Sequence, residues 1–197
     1  MPTRSSTANS KSIAAQLTST LELAANEMRA AENATTLEQA KLHAEAVVNI
    51  LVGEYGRWYG DQNGDLQVTD PSDKRGVLPG EKIPASGGAD IDKPAQFPFG
   101  LALLASGTQT DSSPLQVLLG DAKLWRTKAR DGYDAIENAL ARYKNDKQLK
   151  LQGAVPRAVA YARLILTDTT SVEEARAFAI HASNEIKLGT KAALTLK

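Results

Sequence analysis

Side chains able to hold a hard cation crowd one short stretch of this chain. From Asp61 to Asp73 it reads DQNGDLQVTDPSD, with Asp61, Asn63 and Asp65 at alternate positions and Gln67, Thr69, Asp70 and Asp73 following. Calcium takes roughly six to eight oxygen ligands, and alternate residues of a tight turn can aim such oxygens at one centre. The four carboxylates within these thirteen residues also repel one another, which a divalent cation among them would relieve.

The same residues resemble the calcium loops of the EF-hand and dockerin families, whose pattern begins Asp-x-Asn-x-Asp and carries an aliphatic residue at the eighth position, here Val68. The resemblance implies that Asp61, Asn63 and Asp65 ligate through side chains, Gln67 through its carbonyl, and Thr69 directly or through water. Two positions depart from the pattern. The sixth, a glycine in those families because the chain turns sharply there, is Leu66, and a glycine stands two residues earlier as Gly64. The twelfth, normally an acidic ligand, is Ser72 between Asp70 and Asp73. The loop is therefore expected to close through Asp70 or Asp73, or through the more distant Asp90 and Asp92. Magnesium suits it less, since it demands stricter octahedral geometry. The competing reading is a polar surface turn, because Asn-Gly and Asp-rich clusters make turns without any metal.

A second chemistry could come from His43 and His181, the two histidines of the chain. Each falls beside the apolar stripe of a helix, and on facing helices they could ligate haem or a transition metal, with Met28 as a soft axial ligand. The ordinary reading is a hydrogen-bonded histidine at the edge of a core and a methionine that packs. A di-iron site is disfavoured because no Glu-x-x-His occurs; Ala40 and Phe178 stand where the glutamates are needed. With no cysteine, thiolate zinc, iron–sulfur clusters and cysteine nucleophiles are excluded. No nucleophile elbow, phosphate loop or dinucleotide fingerprint is present, and Ser86-Gly87-Gly88 reads as a flexible turn.

Charge narrows the partners. Lysine and arginine balance aspartate and glutamate at a formal net charge of +0, and the scattered Lys123, Arg126, Lys128 and Arg130 spread around a helix, which argues against nucleic acid. The apolar runs near Ala46–Gly53 and Phe97–Ala105 are too short to cross a bilayer. The polar start MPTRSSTANSKS lacks the apolar stretch of a secretory signal and resembles the mature end of an exported protein. An extracytoplasmic location, periplasmic or secreted, is the expectation.

The elements that must position these residues are helices. Ile13, Leu17, Leu21, Ala24, Met28 and Ala31 recur at helical spacing and predict a helix over about Lys11–Glu32. Thr35 and Glu38 have the form of a capping box opening a second helix, with Leu37, Ala40, Ala44, Val47 and Leu51 inward and a stop near Gly53 or Gly56. From about Arg57 to Gln96 the pattern vanishes, and Tyr55, Trp58 and Tyr59 read as an apolar plug under the loop. Ser113-Pro114 opens one long helix to about Lys144, another runs from about Pro156 to Leu166, and Ser171 with Glu174 caps a last helix to about Leu188.

The expected fold is all-α, an antiparallel bundle of four to five helices with a long ordered loop between the second and third. Residues 1–10 are expected to form a disordered tail and 11–197 a single domain carrying the loop of about 57–96. The expected function is that of a non-enzymatic calcium-binding bundle with a structural or protein-interaction role. The alternative is an electron-transfer bundle holding haem through His43 or His181.

Overall fold

A computed structural model describes residues 4–81 and 113–196 of the chain. The described residues form seven helices and no strand, so the class is all-α. They are α1 Arg4–Glu32, α2 Leu37–Val52, α3 Ser113–Leu119, α4 Ala122–Thr127, α5 Ala129–Asp146, α6 Ala154–Asp168 and α7 Val172–Leu194. Ser86–Gly88, Asp90, Asp92 and the apolar run 97–105 lie outside the described residues.

Helix α1 presents the predicted stripe inward, with Leu17, Leu21, Ala24, Met28 and Ala31 fully buried and Ile13 nearly so. It starts at Arg4 rather than Lys11, so most of the segment expected as a disordered tail is helical. No glycine or proline interrupts the chain between Pro2 and Glu32, and once a helix is nucleated each added residue gains a hydrogen bond. The turn to α2 is capped one residue later than expected. Thr36, not Thr35, accepts from Gln39 N–H at 3.2 Å, and Gln39 Oε1 accepts from Thr35 N–H at 3.0 Å. Thr36 is thus the N-cap, and the Gln39 side chain returns to the residue before it, a close variant of the expected box. The box at Ser171 and Glu174 forms as read, with Ser171 Oγ accepting from Glu174 N–H at 3.2 Å.

Helix α2 is the central rod. Every residue from Ala44 to Val52 is buried, and it packs on α1, α6 and α7. These four helices form the bundle, α1 also lying along α7 and α6 along α7. Short connections make the α1–α2 and α6–α7 pairs antiparallel hairpins. The guanidinium of Arg176 on α7 donates to the Ala34 carbonyl and so fastens the first hairpin's turn to the second hairpin. Each fully buried leucine here contributes roughly 2 kcal/mol of hydrophobic stabilisation.

The long helix expected from Pro114 to Lys144 is three helices, which raises the number above the four to five predicted. Gly120 breaks it, with φ of 76°. A Cβ there would stand 2.7 Å from the Gln152 carbonyl, so the chain turns away from the helix axis where two backbones touch. Asp121 then caps α4 by accepting from Lys123 N–H at 2.9 Å. Periodicity survives this break because Leu118, Trp125, Ile136 and Ala139 remain buried on both sides of it.

The loop after α2 is compact from Gly53 to Glu81. Its returning strand of chain closes the end of α2, where carbonyls have no partner within the helix. Val77 and Leu78 N–H both donate to the Leu51 carbonyl, at 2.8 and 2.9 Å, and Glu54 N–H donates to the Lys74 carbonyl at 2.9 Å. Val77 and Leu78 are fully buried. This crossing needs two glycines, since a Cβ on Gly53 would lie 2.7 Å from the Arg75 backbone and one on Gly76 would lie 2.6 Å from Gly53 N. Both have positive φ, 66° and 74°. Gly76→Ala is expected to cost about 3 kcal/mol, from overpacking and a left-handed alanine together. Urea melts of the wild type and this variant measure it, and a difference within error would show that the crossing relaxes freely.

Candidate metal centre

The oxygen-rich loop is held from below by two polar side chains on α2. Glu45 and Asn49 lie one helical turn apart, on the same face, and both are fully buried. Glu45 Oε2 accepts from Gln62 N–H at 2.7 Å and Asn63 N–H at 2.9 Å, while Oε1 accepts from Thr69 N–H at 2.8 Å. Asn49 uses both ends of its amide. Its Nδ2 donates to the Gly60 and Thr69 carbonyls at 3.1 and 3.0 Å, and its Oδ1 accepts from Gly60 N–H at 2.9 Å. Sequence reasoning missed both residues. The signal was a Glu and an Asn four apart inside the otherwise apolar run Ala44–Val52, where an unpaired polar group would be costly.

Above these anchors the loop folds on its own oxygens. Asp61 Oδ1 accepts from Gly64 N–H at 2.7 Å and Oδ2 from Leu66 N–H at 2.9 Å. Asn63 Oδ1 accepts from Asp65 N–H at 2.9 Å, and Asp65 Oδ1 from Gln67 N–H at 2.8 Å. Asn63 Nδ2 also donates to Asp65 Oδ2 at 3.2 Å. Asp61, Asn63 and Asp65 are therefore brought into one turn, with Gln67 at its edge. Leu66 has φ of 68° and is 92 % exposed, so the sixth position adopts the left-handed conformation for which the calcium-loop families use glycine.

The expected closing residues each accept from a neighbour two residues ahead. Asp70 Oδ1 accepts from Ser72 N–H at 2.9 Å and from the Ser72 hydroxyl at 2.6 Å, and Asp73 Oδ1 accepts from Arg75 N–H at 3.1 Å. Thr69 is held by its backbone between Glu45 and Asn49. Among the described residues no three His, Asp or Glu side chains are grouped so as to hold a metal ion. Asp70 Oδ2 is buried, and the Tyr59 hydroxyl neighbours this carboxylate. The donor set is hard oxygen throughout, which suits calcium, and a carboxylate oxygen holding one N–H keeps a second lone pair.

Aromatic and cationic groups tie the loop to the rest of the bundle. Trp58 is buried and Tyr59 packs on the core, as the plug reading expects. Burial and the neighbouring Asp70 carboxylate push the Tyr59 hydroxyl up to about 12. Arg163 of α6 lies over the Trp58 ring, 4.9 Å from its centre, and donates to Gln62 Oε1. Burial lowers the pKa of this guanidinium. Arg57 grips the far end of the loop, donating twice to Glu81 at 2.8 Å and pairing with Asp134 of α5 at 2.7 Å.

The two histidines have separate surroundings. His43 Nδ1 lies 2.8 Å from Glu27 of α1, and His181 stacks on Tyr161 with ring centres 5.0 Å apart. Met28 is fully buried within the apolar core. No protein family, no curated protein sequence and no solved structure matches the chain.

Two outcomes follow from this geometry. Glu45→Gln keeps the shape but supplies one acceptor oxygen where two are used, so an N–H of the loop faces an amide N–H. A loss of about 2–3 kcal/mol is expected, and a denaturant melt unchanged from wild type would show that the loop does not depend on Glu45. The second concerns pH. Hydrogen bonds from Arg57 hold the Glu81 carboxyl below the usual carboxylate range. A carboxyl depressed in the folded state adds stability above its unfolded pKa and loses it as pH falls through the folded one. From about pH 5 downward, the melting temperature of wild type should therefore fall more steeply than that of Glu81→Gln; parallel curves would remove Glu81 from the acid response.

Proposed function

We propose that the loop from Asp61 to Asp73 is a calcium-binding loop, and that the protein is a non-enzymatic helical bundle with a structural or protein-interaction role. The observation that carries this reading is the turn at its start. Asp61, Asn63 and Asp65 each fold their side-chain oxygens back onto the loop at the spacing of a calcium loop. Leu66 takes the left-handed conformation at the position where glycine is the rule. Asp61, Asn63 and Asp65 would hold the ion through side chains and Gln67 through its carbonyl. Asp70 or Asp73 would close the loop. The cation would neutralise the clustered carboxylates and add stability to the folded form alone. An extracytoplasmic setting suits such a site, with affinity on the order of 10⁻⁴ M, as in extracellular calcium modules.

A second reading is favoured by the same hydrogen bonds. Each of the four aspartates in this stretch already accepts at least one backbone N–H. The negative charges therefore have partners within the chain, and the loop could be a metal-free polar turn. No observation favours the haem alternative at His43, His181 or Met28, whose recorded neighbours are Glu27, Tyr161 and the apolar core.

Calcium added to chelator-treated protein at about a hundred times Kd should raise the melting temperature by about 5–10 °C. Asp65→Asn retains an oxygen for Gln67 N–H but drops the charge, so it should weaken calcium binding while leaving the metal-free melting temperature near that of wild type. An unaltered melt and no heat of binding at millimolar calcium would establish the metal-free turn instead.

A further inference from the structure

A cleft of about 370 Å³ opens between α3, α4, α5 and the connection to α6. Leu119, Trp125 and Pro156 form its buried floor, Leu124 and Leu151 offer its more exposed apolar surface, and Arg142 and Lys150 also line it. The volume falls within the range of small-molecule sites, which join an apolar lining to a few polar groups that fix orientation.

The floor is rigid. Trp125 is 3 % exposed and donates from its indole N–H to the Leu119 carbonyl at 3.0 Å. Its ring lies against Gly132 of α5, where a Cβ would meet the ring carbons at 2.5 Å, and its edge meets Tyr133 with ring centres 5.5 Å apart. A wall fixed on three sides needs no rearrangement to receive a ligand, so little ordering cost opposes binding.

The charges are less settled. Among the described residues Arg142 has no ion-pair partner, and Lys150 reaches only the exposed Asp146 at 3.6 Å. Asp121, the acidic group in the lining, is engaged with Lys123 N–H at the start of α4. With Lys150 beside Asp146 and Asp121 engaged at the cap, the cation left without a carboxylate among the described residues is Arg142. That balance suits a single negative charge on a hydrocarbon body and disfavours a dianion such as phosphate.

We propose that this cleft binds a small amphiphilic monocarboxylate, its carboxylate between Arg142 and Lys150 and its hydrocarbon part against Leu124 and Leu151. The site is independent of the calcium loop. Isothermal titration of the full chain with octanoate, and with octanamide as its uncharged counterpart, tests it. Octanoate should bind saturably and octanamide about tenfold more weakly. Replacing both cations, Arg142→Gln with Lys150→Gln, should weaken octanoate by about tenfold, leave octanamide as before, and leave the melting temperature unchanged, since both side chains are exposed. Ala135→Phe, which fills the cleft from α5, should abolish binding of both. Absence of saturable octanoate binding to wild type overturns the proposal. So does equal affinity for acid and amide, or octanoate binding that survives the double replacement undiminished.

Discussion

One buried carboxylate organises the oxygen-rich chain from Gln62 to Thr69. Glu45 sits at full burial on the most enclosed helix of the bundle, where an unpartnered charge would be severely destabilising. It is tolerable there because three backbone N–H groups from Gln62, Asn63 and Thr69 converge on its two oxygens. The dependence runs both ways. Those N–H groups belong to irregular chain with no ladder to join, so the helix supplies the partner that secondary structure supplies elsewhere. With Asn49 doing the same for Gly60 and Thr69, the loop needs no strands to hold its shape.

Seen from these anchors, the loop is gripped from several helices at once. Arg75 reaches Gln16 on α1 at 2.8 Å, Arg163 reaches Gln62 from α6, and Arg57 joins Glu81 to Asp134 on α5. Two of these arginines also cover apolar surface with the planar head, Arg163 over Trp58 and Arg57 over Tyr133. Arginine suits this use, because a planar fork can donate along its edge while its face stacks on a ring. A loop so held presents Asp61, Asn63 and Asp65 in one arrangement rather than many, whichever species meets them.

The helices were legible because burial writes a period into the sequence. Ile13 to Ala31 and Ala40 to Leu51 keep the spacing of a buried face, and the all-α class follows from that alone. Breaks were harder to see. The stripe runs through Gly120 as though the helix continued, since the two pieces bury their apolar residues in the same core. The turn of Asp61, Asn63 and Asp65 was visible because it is local, each oxygen reaching at most a few residues ahead. Glu45, Asn49 and the burial of Val77 and Leu78 were not, because they depend on chain far away in sequence. Asp70 and Asp73 accept from Ser72 and Arg75, local donors two residues ahead.

The two amides that close the end of α2 come from Val77 and Leu78, well past the turn. Helix and returning chain therefore cannot open separately without stranding the Leu51 carbonyl, and they form one cooperative unit. Amide hydrogens at 77 and 78, though in irregular chain, should exchange with solvent as slowly as those inside the helix. The amides of Gly64, Leu66 and Gln67, bonded to carboxylates of the exposed turn itself, should exchange sooner.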